Sequence, residues 1–60
     1  MSMIGESWCT IEEVESKFGV SKDLVLEWVM EGIVRSEEQG GKVIRVNIDD
    51  LEMKIEENLG

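Results

Sequence analysis

Histidine is missing from the 60-residue chain and cysteine occurs only once, at Cys9. Neither an internal disulfide nor a Cys/His zinc cluster can therefore staple the fold. Long apolar runs are missing too, and none approaches the ~20 residues that a membrane-crossing helix needs. Residues 1–7, MSMIGES, have neither the charged start nor the apolar run of a secretion signal. The expectation is a cytoplasmic protein that meets no membrane. Bases are scarce, six Lys and Arg against fourteen Asp and Glu, for a net charge of −8 and a pI near 4.3. That balance opposes nonspecific nucleic-acid binding, which comes mainly from Lys and Arg displacing counterions from phosphates. With no His, no glycine-rich phosphate loop and too few residues to close a cleft around paired carboxylates, neither an enzyme nor a cofactor is expected.

Length allows one small domain with a core of roughly a dozen side chains. There is no repeat and no linker, so residues 1–9 read as an N-terminal segment and residues 10–60 as the domain. Charge is unevenly spread along it. Residues 17–46 hold five bases (Lys17, Lys22, Arg35, Lys42, Arg45) and five acids (Asp23, Glu27, Glu31, Glu37, Glu38), so the whole acidic excess lies outside this middle stretch.

The stretch TIEEVESKFG begins with a Thr-x-x-Glu capping box, in which Thr10 and Glu13 satisfy each other's backbone amides. It predicts a helix over about 11–18, with Ile11, Val14 and Phe18 on one face and Gly19 as a left-handed stop. Only Val20 and Ser21 separate it from a second helix over about 22–31, ended by Gly32. Two helices joined so tightly must meet at a steep angle, as in a helix-turn-helix.

Six apolar residues crowd the second helix: Leu24, Val25, Leu26, Trp28, Val29 and Met30. A single core layer needs a stripe only a little wider than ~100°, which Val25, Trp28 and Val29 supply. Leu26 and Met30, one turn apart, are left over. Either the hairpin that follows covers them or they form a partner-binding patch. Beside them Asp23, Glu27 and Glu31 form a wholly acidic strip.

After Gly32, IVRSEE and KVIRVN read as two strands around a Gln39-Gly40-Gly41 turn, a wing-like hairpin. Asn47 then caps a third helix over about 48–58, with Asp49 and Asp50 against its positive end and Ile48, Leu51, Ile55 and Leu59 facing inward. The oxygens of Asn47, Asp49, Asp50 and Glu52 do not make a calcium loop, because Leu51 takes the fifth position and the sixth is not glycine. No metal site is expected. Cys9, with no basic neighbour in sequence, reads as a small half-buried filler. Trp8 reads as a staple over the first helix and Trp28 as core.

Together, TIEEVESKFGVSKDLVLEWVMEGIV, the Gly-Gly hairpin and VIRVNIDDLE resemble the small winged helix-turn-helix domains of the MerR and phage excisionase superfamily over residues 10–57. The resemblance rests on the Thr-Ile-x-Glu-Val opening, Gly19-Val20-Ser21, the Glu31-Gly32 stop and the Asp50-Leu51 start of the last helix. It implies an α+β fold of three helices, with a two-stranded hairpin wing between the second and third. Most of that superfamily bind DNA, which would assign contacts to Lys17, Ser21, Lys22, Arg35, Lys42 and Arg45 in a transcriptional regulator or excisionase. Yet the positions of Leu26, Glu27 and Met30, commonly aromatic or basic there, are apolar or acidic here. In this the chain is similar to the chaperone-modulator branch of CbpM type, which binds the J-domain of DnaJ-like cochaperones. That similarity implies a small regulatory protein that docks a basic partner through Asp23, Leu26, Glu27, Met30 and Glu31, with the acids steering approach.

Overall fold

The computed structural model describes residues 7–59. Elements follow in the order β1 (Trp8–Thr10), α1 (Glu13–Phe18), α2 (Lys22–Met30), β2 (Ser36–Gln39), β3 (Lys42–Asn47) and α3 (Ile48–Leu59). The fold is thus small α+β with three helices, as expected. Its sheet differs from the expected two-stranded wing: β1 joins the hairpin to make three antiparallel strands in the order β1-β3-β2. Trp8, Cys9 and Thr10 pair with Asn47, Val46 and Arg45. Trp8 is therefore a half-buried strand residue and not a staple over α1. Three residues are too few to show a period in sequence, so long-range pairing decides this element.

The same pairing shortens the first helix. The Ile11 amide donates to the Ile44 carbonyl at 3.0 Å, so Ile11 belongs to the sheet margin and α1 starts at Glu13 instead of 11. The capping box still forms. The Thr10 amide donates to Glu13 Oε1 at 3.0 Å and the Glu13 amide to Thr10 Oγ1 at 3.2 Å. Gly19 ends α1 in the left-handed region, its amide on the Glu15 carbonyl.

Ser21 caps α2, its hydroxyl accepting the Leu24 amide at 3.3 Å. At the other end the Gly32 amide reaches the Val29 carbonyl and the Ile33 amide the Trp28 carbonyl, each at 3.0 Å, the paired bonds of a Schellman turn. Gly32 takes φ +80° there, where a side chain would strain the backbone. Ile33 and Val34 both spend their amides on Trp28, so β2 begins only at Ser36. Gly40 and Gly41, with φ +61° and +80°, form the two-residue loop between Gln39 and Lys42, a turn whose twist suits a hairpin.

The core lies between the sheet and the helices and contains Cys9, Ile11, Val14, Val25, Trp28, Val34, Val46 and Leu51. Cys9 is buried outright, deeper than the half-buried position expected from sequence. Burial raises its thiol pKa, nearby Glu13 adds to that, and Lys17 opposes it. Asn47 is also fully buried, and its Oδ1 accepts the Asp50 amide at 2.9 Å to cap α3 as expected. The inward-facing part expected of Leu59 concerns a side chain outside the described residues. Among the described residues no helix is long and apolar enough to cross a membrane, and no group of three His, Cys, Asp or Glu could hold a metal ion.

Candidate docking surface

The tight Gly19–Ser21 turn holds α2 so that Val25 and Trp28 enter the core while Asp23, Glu27 and Met30 face outward. Met30 is 88% exposed. Leu26 is half-buried and packs against the core margin, as does Val29. The two surplus side chains of α2 therefore fare differently, since Leu26 is half-buried against the core and Met30 is left open.

Both line a groove of about 960 Å³ between α2 and the hairpin. Ile11, Leu26, Val29, Val43 and Ile44 give it apolar walls, and Glu12, Lys22, Glu38 and Lys42 supply charge. The part played by Val43, Ile44 and Glu38 escaped the sequence reading. The available signal was the apolar run in KVIRVN, which offers more than a hairpin packed on one side consumes.

Asp23, Glu27 and Glu31 are all exposed, and among the described residues none of their side chains forms an ion pair or hydrogen bond. Glu31 lies just past the end of α2, its amide on the Glu27 carbonyl. The residues that the DNA reading would use are placed otherwise. Lys17 Nζ stands 4.0 Å from Glu13, Lys22 Nζ 3.9 Å from Glu12, Arg45 Nε 2.6 Å from Glu37 and Arg35 Nε 2.8 Å from Asp50. The Lys22 amide also donates to Glu15 Oε2 at 3.0 Å, and the Ser21 hydroxyl is committed to its cap. Lys42 at the hairpin turn has no ion pair among the described residues.

Arg35 is held most firmly. Its amide donates to Asp50 Oδ2 at 3.0 Å while its guanidinium reaches both carboxylate oxygens, at 2.8 and 3.4 Å. The guanidinium first, and then the amide, hold the Asp50 carboxyl below its ordinary pKa, against the opposing effect of burial. This pair ties the chain ahead of β2 to the first turn of α3. Compared with known proteins, the chain matches no family model, no curated protein and no solved structure.

Proposed function

We propose that the chain is a small, non-catalytic regulatory module of winged helix-turn-helix type, working in the cytoplasm by docking a basic protein surface on the outward face of α2. A J-domain is the partner to which its resemblance points. The observation that carries this is an asymmetry in charge pairing. Four of the five bases between residues 17 and 46 lie within 4.0 Å of a carboxylate, whereas Asp23, Glu27 and Glu31 lack any such partner among the described residues. A phosphate backbone approaching this face is repelled by its three exposed acids. A basic protein meets the reverse, with Met30 and Leu26 beside the acids to exclude water.

The acids mainly serve approach, since exposed charges steer encounter more than they hold a complex together. Burial of Leu26 and Met30 supplies most of the retention, at ~1.5 to 3 kcal/mol for each fully buried side chain. Titrating a J-domain against wild type, Glu27→Lys and Leu26→Ala separates the two contributions. Glu27→Lys is expected to slow association and flatten its salt dependence, and Leu26→Ala to speed dissociation. The same charge reversal would strengthen duplex binding if DNA were the ligand. Tight binding of wild type to duplex DNA at physiological salt, or indifference of J-domain binding to Glu27→Lys, would overturn the proposal.

A further inference from the structure

We infer that the groove between α2 and the β2–β3 hairpin takes a second copy of this chain, each copy placing its Met30 in the groove of the other. A two-fold contact of this kind sets one patch against itself, so the patch must carry both members of every complementary pair. The groove does so in charge. Glu12 and Glu38 line it together with Lys22 and Lys42, two acids and two bases in a chain whose acids outnumber its bases fourteen to six. A two-fold contact on the outward face of α2 would set Asp23, Glu27 and Glu31 against themselves, and one on α3 would do the same with the exposed Asp49, Glu52 and Glu56. Like charges so opposed hold copies apart.

Shape is complementary in the same sense. Leu26, Val29, Val43 and Ile44 line the groove and are each half-buried, so its walls still have apolar surface to give up. Met30 lines it as well, yet stands 88% exposed one helical turn beyond Leu26. The patch thus holds a hollow and an apolar projection side by side. Methionine is unbranched and flexible, which suits it to an irregular hollow, and about 960 Å³ has ample room for its side chain. The core behind this patch is small. Among the described residues eight apolar side chains form it, and with one cysteine and no histidine neither an internal disulfide nor a Cys/His zinc cluster adds to it. Association of copies is a common supplement to a core of this size. The inference goes beyond docking of a basic partner and does not depend on it. Both use Leu26 and Met30, so a paired chain cannot hold that partner.

The test takes the full chain alone at physiological salt, from about 10 µM to about 1 mM. Sedimentation equilibrium reads its mass, and amide NMR over the same dilution reads the face. The mass is expected to rise from 6.8 kDa toward twice that value, with the amides of Leu26, Met30, Val43 and Ile44 moving with concentration and those of α3 staying in place. Lys42→Glu leaves three acids to one base on the groove of both copies, and Met30→Asp carries a charge into the hollow. Each should raise the dissociation constant about tenfold, while Met53→Asp, on exposed α3 surface, should leave it unchanged. Lys42 and Met30 are both exposed, so neither variant endangers the fold. A chain that is still a monomer at about 1 mM would overturn the inference. So would a dimer indifferent to both variants, or one whose shifts fall on α3. No basic partner is present, so none of these outcomes bears on the J-domain titration.

Discussion

The start of α3 and the outward face of α2 handle polar groups in opposite ways. At the first, Asn47 caps the helix, Asp50 takes three hydrogen bonds from Arg35, and the Asn47 amide meets the Arg35 carbonyl at 2.9 Å. At the second, acids and a methionine stand in solvent without partners among the described residues. A net charge of −8 does not by itself mark a site. On the α2 face three exposed acids flank an open methionine, while Asp50, Glu37, Glu12 and Glu13 hold bases in place. One region uses its charges for structure, and the other leaves them in solvent.

The comparison breaks most sharply through Leu51, fully buried in the first turn of α3. Leu51→Ala is expected to cost about 2 to 5 kcal/mol in denaturant unfolding, enough to threaten the fold of a chain this small. Asn47→Ala should cost less, about 0.5 to 2 kcal/mol, through loss of its cap to the Asp50 amide. An unchanged midpoint would show that water replaces the cap freely. Among the described residues the Asn47 Nδ2 is buried without a hydrogen-bond partner, so the residue is less favourable there than its cap alone suggests.

Acid titration sharpens the same contrast more gently. Because the Asp50 carboxyl is held below its ordinary pKa by Arg35, its contribution is present above the unfolded value of ~3.9 and is lost as pH falls through the lowered native one. Glu13, lowered by the Thr10 amide and hydroxyl and then by Lys17, acts in the same direction. Wild type should therefore be more stable than Asp50→Asn at pH 6, and the gap should close below about pH 4. A gap independent of pH would mean that the Arg35 contact works through shape alone. The smallest effect belongs to the open face: Met30→Ser should move stability by no more than about 0.5 kcal/mol, since Met30 buries little. A larger loss would mean that Met30 serves the fold, not a partner.

Local signals in the sequence carried far. The Thr10–Glu13 box, the Ser21 cap, the Gly32 exit, the Gly40-Gly41 loop and the Asn47 cap each depend on a few neighbouring residues, and each forms as expected. Trp8–Thr10 did not reveal itself, because a three-residue strand is defined by its partner on β3 and not by its own pattern. For the site, the acidic strip and the surplus of Leu26 and Met30 were legible from helical spacing. The hairpin half of the groove was not, because whether Val43 turns toward α2 or toward solvent depends on where β1 anchors the sheet. The ion pairs of Arg45 with Glu37 and Arg35 with Asp50 join residues eight and fifteen apart, beyond the reach of a reading based on helical neighbours.

Pairing of β1 with β3 also has a kinetic consequence. Thr10 meets Arg45 only after the helices and the hairpin between them have been drawn into one loop, and closing a loop of that length costs entropy that a two-residue turn avoids. The β2–β3 hairpin can assemble from neighbours within microseconds, whereas β1 must wait for the rest of the chain to be arranged around it. An element that docks last can also leave first, so amide exchange at Cys9, which pairs with Val46, is expected to be faster than exchange within the β2–β3 hairpin. The short first strand acts as the latch of the domain, closing last and reporting whether the whole molecule is shut.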